Sequence, residues 1–265
     1  MSGLTFAARG VVAVALSLVA VTASAQAVAD TQKPFEPVSG QAGKDVVWVP
    51  TPQATVDKML DLGKVTPQDY VIDLGSGNGV TVITAAKRGA TALGVEFNPE
   101  MVKLARRLAS EAGVADKATF VEGDLFEADL SRATVITLFL LPDINEKLRP
   151  KLLDLKPGTR IVSNSFDMGD WQPDVKGTSE GCNSWCTVMS WVIPAKVEGA
   201  WTLGQDTLAL TQQYQTISGA LGTTPITAGT LNGAAISFTV GSRTYTGRVN
   251  GDRMTGDGWS ASKTR

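Results

Sequence analysis

The stretch "VIDLGSGNGV", residues 71–80, places Gly75, Gly77 and Gly79 directly after an apolar run that reads as a buried strand. Glycine weakens strand and helix interiors and is favoured where the backbone turns sharply or lies against a ligand, so this spacing marks a turn built around something. Two carboxylates hold comparable places downstream. Glu96 closes the strand-like "TALGVEF", and Asp124 ends "ATFVEGD" beside Leu125 and Phe126. A carboxylate at Glu96 can accept both hydroxyl protons of a ribose, and one at Asp124, next to an apolar wall, can accept a donor from an adenine edge. The glycines are spaced G-x-G-x-G, with Val80 where the common dinucleotide fingerprint has its third glycine. With no evident hydride-transfer acid, nicotinamide-dependent oxidoreduction ranks below the other readings.

Composition removes several further classes. The chain has 265 residues, a formal charge of −2 and no histidine, so Ser-His-Asp and Cys-His nucleophilic systems are absent. Cys182 and Cys186 supply two thiols where zinc wants about four nitrogen or sulfur ligands, so no metal site is expected and a local disulfide is. Lys87-Arg88 and Arg106-Arg107 read as solvated helix faces, and no basic cluster marks a nucleic-acid partner. Trp48, Trp171 and Trp185 read as packing or loop anchors.

Elements that could position the glycine turn are legible in residues 49–166, where helical and strand patterns alternate. Thr51 before Pro52 opens a first helix, and "VTVITAAKRG" reads as a second, ended by Gly89. Asn98-Pro99 begins a third, with Met101, Leu104, Ala105 and Leu108 on one face and Gly113 at its end. "PDINEKLRPKLLDL" is a fourth, broken or kinked near Pro150, with Asp143 as a sufficient N-cap. Strands alternating with helices imply a parallel, doubly wound α/β sheet, whose ligands bind at the strands' carboxyl ends. Residues 174–198 read as a connecting loop and one strand. From 199 to 265 the helical period disappears, and short β-prone runs with Gly219, Gly233 and Gly247 at intervals of 14 imply a small antiparallel meander or barrel. At the other end, Arg9, an apolar run over residues 11–21 and Ala23-Ser24-Ala25-Gln26-Ala27 read as a signal peptide over residues 1–27, followed by a lead over 28–45. The expectation is an exported protein, periplasmic or secreted, with no membrane span after cleavage.

Together these motifs resemble the class I S-adenosylmethionine-dependent methyltransferases over residues 46–173, with their Rossmann-like fold. "VIDLGSGNG", "GVEFNPE", "VEGDLFEADL" and "ITLFLLPDINEKLRPKLLDLKPGTRIVSNSF" carry the resemblance. "VWVPTP" and "FLLP" narrow it to the small protein-lysine methyltransferases of mitochondrial inner-membrane proteins and their bacterial relatives. The resemblance implies S-adenosylmethionine as cofactor, held by Asp73, Gly75, Ser76, Gly77, Gly79, Glu96, Phe97, Asp124 and Leu125. It implies an acceptor pocket lined by Pro50, Phe139 and Leu141, with Pro142 and Asp143 at the reacting end. Its acceptor is a protein carrying an exposed lysine, or else a small molecule. The chain departs from the family pattern at Asn78-Gly79-Val80, Phe139 and Asn164-Ser165, where D-G-R, Tyr and His-Asp are expected. These departures, and export away from the compartment that makes the cofactor, motivate the alternative of an exported noncatalytic binding protein that retains the fold.

Overall fold

The structure, a computed structural model, describes residues 1–5 and 35–264, in two units, Met1–Pro34 and Phe35–Arg265. The first five residues are irregular and exposed, and the features behind the signal-peptide expectation, Arg9 and residues 11–27, lie outside the described residues. In the second unit the chain runs through α1 (Gln53–Leu62), β1 (Tyr70–Leu74), α2 (Val80–Lys87), β2 (Thr91–Glu96), α3 (Pro99–Glu111), β3 (Ala118–Glu122), β4 (Val135–Leu138), α4 (Pro142–Leu153), β5 (Arg160–Asn164), β6 (Val175–Thr178) and β7 (Thr187–Val192). These strands form one sheet in the order β3-β2-β1-β4-β5-β7-β6.

Alternation along the strands builds two apolar layers. Val71, Val135 and Val162 face a cluster with Val56, Leu60, Val82, Val102 and Ala105 of the first three helices. Ile72, Ile136 and Ile161 face the opposite cluster, with Leu148 and Leu152 of α4 and the indoles of Trp171 and Trp191. Helices therefore cover both faces, which is the doubly wound α/β arrangement.

Several local expectations need correction. β7 runs antiparallel to both β5 and β6, so the sheet is mixed rather than parallel throughout. β6 and β7 are joined only by the short loop holding Cys182 and Cys186, too little chain for the crossover a parallel pair requires. β6 itself lies in a stretch that the sequence presents as loop, because an edge strand with little buried surface shows no alternation. α4 continues through Pro150, an exposed position, anchored by buried Leu148 and Leu152. Its cap is Leu141, with Pro142 and Asp143 in the first turn, so Asp143 is not the N-cap. α1 starts one residue later than Thr51 suggests, with Pro52 at the cap. Asn98 does cap α3, its side chain accepting from the Glu100 and Met101 amides.

Beyond the sheet, β8 (Gly199–Leu203), β9 (Asp206–Gln213), β10 (Thr216–Leu221), β11 (Thr224–Asn232), β12 (Ala235–Val240), β13 (Arg243–Asn250), β14 (Arg253–Gly256) and β15 (Trp259–Lys263) form a closed antiparallel barrel. Inward positions alternate with exposed ones, and Trp201, Leu208, Leu210, Phe238, Tyr245 and Met254 fill the interior. The 14-residue glycine spacing has no structural counterpart: Gly233 sits in a hairpin turn, whereas Gly219 and Gly247 lie within strands. The barrel docks through its β9–β10 turn. Tyr214 stacks on Trp171 at 5.6 Å between ring centroids and donates to Asp170, and Gln215 accepts from the Trp171 indole at 2.7 Å.

Candidate functional site

A cavity of about 340 Å³ opens along the carboxyl edge of the parallel strands, where strand order reverses between β1 and β4. This size suits a small-molecule site. β1 delivers Asp73 and then the glycine turn. Gly75 and Gly77 have φ of +74° and +53°, a left-handed backbone that other residues rarely adopt, and the Gly75 and Ser76 amides both donate to the Val95 carbonyl. β2 ends at Glu96, whose carboxylate accepts from the Gly77 amide at 2.8 Å and from the Asn98 amide at 2.9 Å. Each carboxylate oxygen keeps a further lone pair for an incoming hydroxyl. After β3, Asp124 accepts from the Phe126 amide at 2.9 Å and pairs with Lys44, which lies over the Phe97 ring. That bond to Lys44 is the first cause holding the Asp124 carboxyl below its ordinary value.

Asp73 is the site's buried acid. Its carboxylate accepts from the Thr137 hydroxyl at 2.6 Å. Burial pushes it up to about 7; the Thr137 bond opposes that rise and the charge of Glu96 adds to it.

The cavity brings together most of the residues singled out by the sequence. Asp73, Gly75, Ser76, Gly77, Glu96, Phe97, Asp124, Leu125, Phe139 and Leu141 all line it. Four do not. Gly79 caps α2, and a Cβ there would meet the Phe120 ring at 2.6 Å, so it serves helix–strand packing. Pro50 is exposed between the lining residues Val49 and Thr51. Pro142 and Asp143 are exposed in the first turn of α4, outside the cavity lining.

Other lining residues were not among the site candidates. Residues 38–48, which the sequence presents mostly as an unstructured lead, form a small hairpin strap. The Gly40 amide donates to the Trp48 carbonyl, and the Trp48 amide to the Gln41 carbonyl, each at 2.8 Å. Trp48 lies against the glycine turn, where a Cβ on Gly77 would stand 2.6 Å from its Nε1. On the far side, Phe166 after β5 and Trp185 before β7 join Phe139 in the lining. Phe166 lies two residues past the end of β5 and is findable by the strand-end rule; Trp185 is not. It sits in the loop closed by the Cys182–Cys186 disulfide, the pairing expected from sequence.

Among the described residues, the cavity lining holds one cation, Lys44, against the carboxylates of Asp45, Asp73, Glu96 and Asp124. The barrel contributes no residue to it.

Residues 73–175 match the family model described as the ANTKMT methyltransferase domain. The chain is 45% identical over 151 residues to the protein-lysine N-methyltransferase of Saccharolobus islandicus, covering 56% of this chain and 94% of that protein. It is 35% identical over 130 residues to the adenine nucleotide translocase lysine N-methyltransferase of Mus musculus, covering 48% of this chain but only 56% of the mouse protein. Among solved structures, a Salinibacter ruber protein described as an RNA methyltransferase, in complex with S-adenosyl-L-homocysteine, is 52% identical. That similarity has a TM-score of 0.53 and covers 56% of this chain and 96% of the other.

Proposed function

Since the chain belongs to the class I S-adenosylmethionine-dependent methyltransferases, in the branch of the ANTKMT methyltransferase domain, we propose that it is an exported enzyme that N-methylates a lysine of another protein. The glycine turn, Glu96 and Asp124 at three successive strand ends support this cofactor: the glycine backbone would let it approach closely, Glu96 would accept from the ribose hydroxyls and Asp124 from the adenine edge. When bound, S-adenosylmethionine supplies a methyl group on a positively charged sulfur. Glu96 orients by holding the Gly77 and Asn98 amides while keeping acceptor capacity. Asp73 and Thr137 set the charge beside the glycine turn, and the strap and aromatic side chains wall the cavity. Alignment of an amine with the methyl then accounts for much of the acceleration, without covalent help from the protein.

The acidic lining is the observation that carries the lysine reading. Asp45, Glu96 and Asp124, joined by Asp73 as it ionises above about pH 7, outnumber the one ammonium of Lys44, a balance that favours a cationic acceptor and repels a phosphate backbone. The lysine-directed names of the Saccharolobus and mouse relatives support it; the RNA-directed name of the Salinibacter protein stands against it. A lysine amine, which titrates near ~10.4 when free, would dock as its ammonium and pass that proton to solvent at the cavity mouth before the nitrogen takes the methyl from the sulfur. Export rests on the leader sequence and is supported by the disulfide, a bond that persists in oxidising compartments. Periplasmic or secreted protein is the expected location, and the mass of the protein recovered from its own cells reads whether the leader has been removed.

The test of function is incubation of the full chain with isotopically labelled cofactor and an extract containing protein and RNA, followed by mass spectrometry. Label on lysine Nε is the expected result. Label confined to RNA or to a small molecule rejects the lysine reading. Cofactor binding with no label anywhere favours the noncatalytic binding protein.

A further inference from the structure

The far half of the cavity holds three aromatic rings that the cofactor-binding residues leave unused. Phe139 follows β4, Phe166 follows β5 and Trp185 precedes β7. Ring centroids are 6.1 Å apart for Phe139 and Phe166, 6.2 Å for Phe139 and Trp185, and 5.3 Å for Phe166 and Trp185. These are the separations of rings packed against one another, Phe139 stacked on Phe166 and edge-on to Trp185, so a group seated over the cluster from the cavity side would lie within about 6 Å of the three centroids, the range of cation–π attraction.

Position separates these rings from the cofactor half. The glycine turn, Glu96 and Asp124 occupy the ends of β1, β2 and β3, on one side of the point where strand order reverses; the rings occupy the ends of β4, β5 and β7 on the other. Trp185 is also held at a cost. It is 47% exposed with φ of +59°, one residue from Cys186 in the disulfide-closed loop. An indole in a left-handed backbone, half in water, gains little from burial, so its placement calls for another explanation.

We propose that Phe139, Phe166 and Trp185 form the acceptor's cation site, receiving an alkylammonium side chain, and that the Cys182–Cys186 disulfide holds Trp185 in position to complete it. This rests on the lysine reading and adds the residues that would recognise the acceptor. The net acidity of the cavity as a whole favours a cation in it, with Asp73 the carboxylate on the strand beside β4, paired in register with Thr137 two residues before Phe139, and the rings take the methylene stem as well as the ammonium head. A disulfide spanning so few residues removes little chain entropy from the unfolded state, so its contribution here is local placement.

The test measures binding of n-butylammonium, with n-butanol as the neutral control, to the full chain saturated with S-adenosyl-L-homocysteine, by saturation-transfer NMR titration. Wild type is expected to prefer the cation by about tenfold. Trp185→Ala abolishes that preference, Trp185→Phe retains it within about threefold, and Cys182→Ser with Cys186→Ser weakens it about fivefold. Affinity for S-adenosyl-L-homocysteine stays within about twofold in every variant. The proposal is overturned by equal binding of the two probes, by a preference insensitive to Trp185→Ala, or by a loss of S-adenosylmethionine affinity relative to its neutral product, which would make the rings a wall of the cofactor site. Uridine binding that exceeds n-butylammonium binding and depends on Trp185 would instead make them a nucleobase platform. Failure of lysine labelling while the cation preference persists would reject the proposed reaction and leave the cation site standing.

Discussion

Asp73 couples the site to pH. Its folded carboxyl titrates at about 7 against an ordinary 3.8, so the folded chain binds that proton more tightly than the unfolded chain. The associated stability is fully present below 3.8 and is lost as pH rises through about 7. Asp73→Asn, which keeps an acceptor for Thr137 but cannot ionise, is therefore expected to be more stable than wild type at pH 8. The ceiling on that gain is on the order of 4 kcal/mol, and thermal unfolding of both proteins across pH 5 to 8 reads it. The same ionisation acts on ligand binding with the opposite benefit. Affinity for the cationic cofactor is expected to rise as pH rises through about 7 in wild type and to stay flat in Asp73→Asn, measured by calorimetric titration.

Elements explain both what the sequence discloses and what it conceals. The glycine turn is legible because Gly75 and Gly77 must adopt positive φ, and Glu96 and Asp124 because successive β-α units return the chain to the same sheet edge. The strap is concealed because its hairpin is held by a few backbone bonds and by contact with a turn distant in sequence, and Trp185 because a loop has no periodicity. Gly77→Ala tests the strap. Its Cβ would press on the Trp48 indole from a backbone that disfavours it, so affinity for S-adenosyl-L-homocysteine should fall about tenfold or more with a loss of about 1–2 kcal/mol in stability. In the barrel, Trp259 lies across the paired Gly247 and Gly256 of neighbouring strands and donates to the Thr246 carbonyl at 2.9 Å. A Cβ on Gly256 would stand 2.0 Å from the indole nitrogen, so Gly256→Val is expected to cost about 3 kcal/mol in chemical denaturation.

Across Phe35–Arg265, the barrel and the cavity are separate concerns. The barrel meets the sheet domain at Trp171 and Tyr214 and again where the Gly233 turn packs on Gly158, and no barrel residue lines the cavity. Tyr214→Ala should therefore lower stability by about 2 kcal/mol while leaving affinity for S-adenosyl-L-homocysteine unchanged, a separation that thermal shift with and without ligand reads directly. Closure of the barrel has a further consequence in time. Neighbouring strands in the meander pair soon after they are made, but β15 must find β8 from the opposite end, and that seam is registered over only Ala261↔Leu203, Ser262↔Thr202 and Lys263↔Trp201. A ladder so short, joining the most distant strands, is the last to zip and the first to breathe. Amide hydrogens of β15 are expected to exchange with solvent well before those of β12 and β13, as the barrel transiently unrolls into an open ribbon.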